Sequence, residues 1–281
     1  MLQHPHSKKH KRQLLAQLIT ILILSTLASC EKVIDIQLND TEPVLVIEGN
    51  ITDMDDTHYV YISKTVPFSA PSTQSPVEGA LVHIIEQRPS ISILDDTMIR
   101  SDRTFTEVQP GVYELRNYRG YSGRKYTLQV SVEGQQYTAS STMPENTPID
   151  SIGTVTDNIF GGEQKTVGVV YQDPPGVKNY YRYLVMVNGK PSNLVFAYND
   201  KFNDGKQVQR NFYDDDLDLK TNDAVMVEQQ CIDAAVYKYF NGIQSNNPGA
   251  AAPANPVSNF SNGALGYFSA HTVSRAATSI E

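Results

Sequence analysis

Two sets of side chains have the types and spacing for chemistry: a run of aspartates and an early cysteine. Asp214-Asp215-Asp216-Leu217-Asp218 puts Asp214, Asp216 and Asp218 at the first, third and fifth positions of a calcium loop. The pattern then fails. The sixth position needs Gly and holds Leu219; the twelfth needs Glu and holds Val225. The run reads as an exposed, metal-free acidic turn, with a weak divalent site or a docking patch as the alternative. Asp200, Asp204 and Gly205 enlarge that patch if the fold brings them to it. The histidines offer less. His58, His83 and His271 are scattered, and none pairs at metal-ligand spacing. There is no His-Glu-x-x-His, no phosphate-binding Gly-Lys-Ser/Thr loop and no Gly-x-Ser-x-Gly elbow. Gly120-Tyr121-Ser122-Gly123 is one residue short of the elbow and leads into a strand, so it reads as a turn. No catalytic residue, metal ligand or cofactor site is assigned.

Cys30 has a clearer setting. Lys8, Lys9, Lys11 and Arg12 precede it, and no acid occurs before Glu31. Leu14 to Leu27 is apolar but shorter than the ~20 residues a helix needs to cross a bilayer, so residues 1–29 read as a secretory signal. Leu27-Ala28-Ser29-Cys30 resembles the lipobox of bacterial lipoproteins. That resemblance implies cleavage before Cys30, acylation of its thiol (palmitate among the chains) and a lipid-anchored tether over residues 30–43. The covalent lipid is the one non-protein group expected. Removing residues 1–29 takes away four basic residues and no acid, so the formal net charge moves from -8 to -12. Such a balance excludes a nucleic-acid binder. The other cysteine, Cys231, is left without a partner and reads as a buried small hydrophobe.

The elements that must position these groups read as strands. Tyr126, Leu128, Val130 and Val132 alternate with polar residues, which is period two with one wet face. Val44–Ile47 is continuous and apolar, as in a strand buried on both faces, and further strand-like runs occur at Tyr59–Ile62, Ala80–Glu86, Val112–Leu115 and Tyr137–Met143. Pro144 and Pro148 interrupt the pattern. A boundary there divides an N-terminal β-sandwich, residues 44–145, from a C-terminal β-rich domain, residues 146–281. The alternative is a tight turn within one large sheet. Further strands are expected at Ile152–Val155, Thr166–Tyr171, Tyr180–Val187, Leu194–Tyr198, Ala224–Val227 and Ala264–Val273, with Asn188-Gly189 as a hairpin turn. Ile232, Ala235, Val236, Tyr239, Phe240 and Ile243 follow helical spacing, which predicts one amphipathic helix near residues 232–242, ended at Gly242. The fold class is therefore mostly β: two β-sandwich-like lobes with one amphipathic helix in the C-terminal lobe. The first lobe is similar to small transthyretin-like or carboxypeptidase-regulatory-like sandwiches through Gly111-Val112-Tyr113 and Gly123 with Tyr126-Thr127-Leu128. Tyrosine is abundant, 16 against nine Phe and no Trp. That suits half-wet strands and also a tyrosine-lined carbohydrate or peptide surface.

Several short motifs recur in a fixed order. They are the lipobox, Val46-Ile47-Glu48-Gly49, Asp173-Pro174-Pro175-Gly176 with Asn179-Tyr180-Tyr181, Asp200 to Gly205, the helix with Tyr237 and Tyr239, and Asn262-Gly263-Ala264-Leu265-Gly266-Tyr267-Phe268. Together they resemble the Bacteroidota lipoprotein family catalogued as domain of unknown function 4249. The resemblance implies an outer-membrane lipoprotein, a non-catalytic accessory or binding subunit of a TonB-dependent transporter. It supplies no catalytic residues. A surface structural or adhesin-type lipoprotein is the first alternative. A lipid-anchored hydrolase with an unrecognised carboxylate site is the second. Glu31-Lys32 before Val33-Ile34 matches the surface-export signal of such bacteria only in part, which leaves the periplasmic and cell-surface faces both open.

Overall fold

The computed structural model describes residues 42–66, 75–88, 99–159, 162–214, 219–246 and 256–280. The signal, Cys30, the tether up to residue 41, Asp216 and Asp218 lie outside them. The chain divides into Met1–Thr41 and a compact unit from Glu42 to Glu281. In order, the elements of the second unit are β1 (Leu45–Thr52), β2 (Asp56–Lys64), β3 (Ser75–Pro76), β4 (Leu81–Arg88), β5 (Ile99–Thr104), β6 (Thr106–Gln109), β7 (Val112–Tyr118), β8 (Lys125–Val132), β9 (Gln135–Thr142), β10 (Ser151–Ile159), β11 (Gly162–Gln172), β12 (Tyr180–Val187), β13 (Lys190–Pro191), β14 (Phe196–Asn199), β15 (Gln207–Phe212), β16 (Ala224–Ile232), α1 (Ala234–Gln244) and β17 (Leu265–Ser279). The protein is mostly β, with a single helix among the described residues. No described helix is long and apolar enough to cross a membrane.

A ten-stranded sheet runs β13-β12-β16-β17-β1-β2-β7-β6, with β14 beside β12 and β3 beside β2. Its middle seam, β1 against β17, is parallel. Period two decides which side chains enter the core. Ile47, Val60, Ile62, Tyr113 and Phe268 point to one side and meet Val82, Ile84, Leu128 and Val130 of a four-stranded sheet, β5-β4-β8-β9. Farther along the same side, Tyr181, Tyr183, Val185, Val225 and Val227 meet Val167, Val169 and Phe212 of a three-stranded sheet, β10-β11-β15. Two sandwich-like lobes thus share one long sheet. Residues 143–150, which carry the two prolines, hold no strand; there the chain passes from the four-stranded sheet to the three-stranded one.

The opposite side of the long sheet carries α1. Asp233 caps it, its Oδ1 accepting from the amides of Ala235 and Val236, both at 2.9 Å, which satisfies two of the helix's free donors. The other oxygen accepts from Thr142 N at 3.1 Å and ties the cap to β9. Val236, Tyr239 and Phe240 face Tyr267 and Ile232. Two details differ from the sequence reading. Ile232 ends β16 and is not the first helical residue. Gly242 does not stop the helix: it lies inside α1 because Pro256 crosses it, with Cα only 3.1 Å from where a Cβ would sit.

Candidate functional site

The aspartates do not assemble as the sequence suggested. Asp214 is buried, 6% exposed, and its Oδ2 accepts from Ser192 Oγ. The expectation of an exposed Asp214 is therefore corrected: the residue follows β15 and holds the turn between β13 and β14, where the same hydroxyl accepts from Leu194 N at 3.0 Å. Asp216 and Asp218 are outside the described residues. Asp200 and Asp204 instead meet Asp173, the first residue of Asp-Pro-Pro-Gly, with carboxylate oxygens within 4.8 Å of one another. Three such oxygens are hard ligands of the kind a divalent cation takes. Each also has a partner across two facing turns. Tyr181 OH donates to Asp173 Oδ1 at 2.6 Å, Gly205 N to its Oδ2 at 3.3 Å, Asn179 N to Asp200 at 2.7 Å and Gly176 N to Asp204 at 2.7 Å. The cluster acts as a latch between the turns, and burial raises the Asp173 carboxyl above its ordinary value.

Two histidines, His58 and His271, are buried. His58 Nε2 lies 2.7 Å from Tyr118 O, and burial lowers its pKa. His271 Nδ1 lies 2.9 Å from Ser269 Oγ, a hydroxyl–imidazole pair in the spacing of a nucleophile and base. His271 and Ser269 are both buried, however, and neither lines the two hollows beside Tyr61. Cys231 is buried, as its isolation predicted; it accepts from Thr147 N at 3.3 Å, and burial pushes the thiol up.

The open part of the long sheet's helix-bearing side is where groups converge toward solvent. Register places Tyr61 of β2, Glu48 of β1 and Tyr267 of β17 in one row across three strands. Tyr59 stacks on Tyr61, with centroids 6.2 Å apart and planes at 23°. On the helix side, Tyr267 packs against Tyr239 at 5.0 Å and Phe240 at 4.7 Å. Two open hollows flank Tyr61. One is lined by Glu48, Tyr61, Pro76 and Val112; the other by Asn50, His58, Tyr59, Tyr61 and Arg275. A polar chain borders the strip: Arg182 donates to Gln230 at 3.2 Å, Gln230 to Glu228 at 2.6 Å, and Arg275 to Glu228 at 2.7 Å. The Arg182 guanidinium also lies 3.9 Å over the Phe240 ring. Burial pushes the Tyr239 phenol up to about 12, with Glu48 and Tyr267 adding to the shift, and raises that of Tyr61, so both rings stay neutral at physiological pH.

The tyrosines of β12 are not this surface: Tyr181 and Tyr183 lie in the core. Glu48 and Tyr267 sit in the two ordered motifs Val46–Gly49 and Asn262–Phe268, which, with the abundance of tyrosine, are the sequence signals that pointed here.

A search of the curated proteins returns no match to this chain. Residues 31–277 match the family described as Domain of unknown function (DUF4249). That match spans nearly all of the chain beyond Cys30, so the protein belongs to DUF4249, the family its ordered motifs resemble.

Proposed function

We propose that the protein is an outer-membrane lipoprotein, anchored by acyl chains on Cys30, that serves as a non-catalytic binding or accessory subunit of a TonB-dependent transporter. The observation that carries the binding role is the solvent-facing tyrosine strip on the long sheet, with Tyr61 48% exposed and Tyr59 37%. Tyrosine presents a large ring and a wet hydroxyl at low entropy cost, which suits recognition. Two sandwiches behind the sheet hold the strip rigid, so little ordering is needed on binding. The anchor rests on the lipobox resemblance and on the physics of acylation: one chain binds a membrane only marginally, whereas two or more hold it.

Labelling with radioactive palmitate, followed by membrane fractionation and affinity purification, tests the proposal. Wild type takes label, fractionates with outer membranes and retains a TonB-dependent receptor. Cys30→Ala takes no label and persists as an uncut precursor. Unlabelled wild type overturns the anchor. Labelled protein that retains no such receptor overturns the partnership.

A further inference from the structure

Glu48 stands apart from the other acids of its face. Glu114 on β7 is paired with Arg116, and Glu228 on β16 with Arg275. The Glu48 carboxylate has no hydrogen-bond or ion-pair partner among the described residues. It lies mid-strand, open to solvent, with a tyrosine directly across on each side. Partial burial beside the rings raises the Glu48 pKa above its ordinary value, and the charge of Arg182 opposes this, but that guanidinium is held by Phe240 and Gln230. A strand face does not ordinarily favour an isolated acid between aromatic rings.

We infer that this strip is a binding site for an organic cation, an alkylammonium or guanidinium group seated on Glu48 beside the exposed ring of Tyr61. The chemistry is complementary on each count. The carboxylate supplies acceptors only, and an ammonium supplies donors only. The exposed Tyr61 ring presents a negative face, which attracts a cation within about 6 Å of its centroid, while Tyr267, buried against Tyr239 and Phe240, closes the helix side of the row. Asn50 Nδ2 donates to Tyr267 OH at 3.4 Å and holds that ring in the row. The hollow beside Glu48 gives an alkyl stem somewhere to lie, against Pro76 and Val112. The amine arrives either as a small molecule or as a lysine side chain on an extended segment of a protein. A neutral sugar would stack on the tyrosines equally well but has no need of the charge.

The assignment deepens the binding-subunit reading and rests on it. The test is a titration of the full-length chain in detergent, followed by calorimetry and by tyrosine fluorescence, which is clean because the chain has no Trp. The probes are N-acetyl-lysine amide, a hexapeptide with one central lysine, N-acetyl-norleucine amide and maltotetraose. Both amine probes bind wild type and norleucine amide does not. Tighter binding of the peptide assigns the amine to a protein segment; equal binding assigns it to a small molecule. Glu48→Gln keeps the shape and removes the charge, and weakens amine binding about tenfold, as for loss of a charge-assisted hydrogen bond. Tyr61→Leu keeps apolar bulk and also weakens it, which guards against a folding effect in the first variant. Amine probes that bind no better than norleucine amide overturn the assignment. So does maltotetraose binding that Glu48→Gln leaves unchanged. Either result, with palmitate labelling and receptor retention intact, removes the cation site and leaves the proposed function standing.

Discussion

His271 shows how far a single side chain can be read from its surroundings. It is fully enclosed, and its pKa is pushed down to about 3, first by burial and then by the charges of Arg182 and His58. The unfolded chain takes up that proton near the ordinary value of 6.5. Above 6.5 both states are neutral there and the group adds no pH dependence. Below it the unfolded state holds a proton that the native state does not, so stability falls by about 1.4 kcal/mol per pH unit until about pH 3. His58, lowered for the same reason, acts in the same direction. Urea unfolding at pH 6.5 and pH 5 should therefore show wild type losing about 2 kcal/mol through His271 alone. His271→Gln, which can still bond Ser269, should lose less over the same interval. An equal loss in both chains would mean that the imidazole is protonated in the native state. Residue type alone did not reveal this burial, because a histidine between Ala270 and Thr272 reads equally well as edge or core. Cys231 was legible for a different reason: it has no second cysteine to pair with, and the acids near it, Glu228 and Asp233, do not favour a reactive thiolate. Asp214 was misread because a dense acidic run looks solvated, while its burial depends on Ser192, 22 residues away.

Elements were legible where one local period governs them. The clean alternation of β8 and the helical stripe Val236, Tyr239 and Phe240 both correspond to observed burial. The hairpin at Asn188-Gly189 has φ of 49° and 77°, the positive pair that a tight turn with native twist demands. Strand β17 was read too short, at Ala264–Val273, because its second half pairs with β16 through small and polar residues that carry no strong pattern. Its start is the least forgiving point in the fold. Gly266 has φ of 92°, and a Cβ there would sit 2.0 Å from Ile47 O, across the parallel seam. Neither the backbone angle nor the clash is relieved by moving a side chain. Gly266→Ala should cost on the order of 3 kcal/mol or more, well above the usual range for a single change. Val-sized replacements should give no folded protein. A melting temperature within a degree or two of wild type would show that β1 and β17 do not meet as described. The same variant should also weaken the tyrosine strip, since Tyr267 is the next residue.

At the scale of the whole molecule the two lobes are not interchangeable with two domains. Pro144 and Pro148 mark a real transition in the chain, and each lobe has its own cluster of buried residues. Yet the N-terminal cluster is completed by Phe260, Ala264, Phe268 and Ala270, which arrive more than a hundred residues later. The strand of Phe268 and Ala270, β17, pairs β1 on one side and β16 on the other, so it belongs to both lobes. No local pattern encodes a pairing such as Glu48 with Tyr267, and that is why the shared sheet and the binding strip on it were hidden in the sequence while the strands themselves were not. The energetic consequence is coupling. A fragment of residues 44–145 would expose the edge of β1 and the apolar faces that Phe268 and Ala270 cover, an invitation to aggregate. Expressed alone, it should be insoluble or lack sharp tertiary signals, and adding residues 256–280 as a separate peptide should restore some of its order. The full chain should melt in a single transition seen alike by far-ultraviolet circular dichroism and by tyrosine fluorescence, whose reporters are spread through both lobes. Two resolved transitions, with the first lobe refolding alone after proteolysis near residue 146, would show that the long sheet is a seam between independent domains.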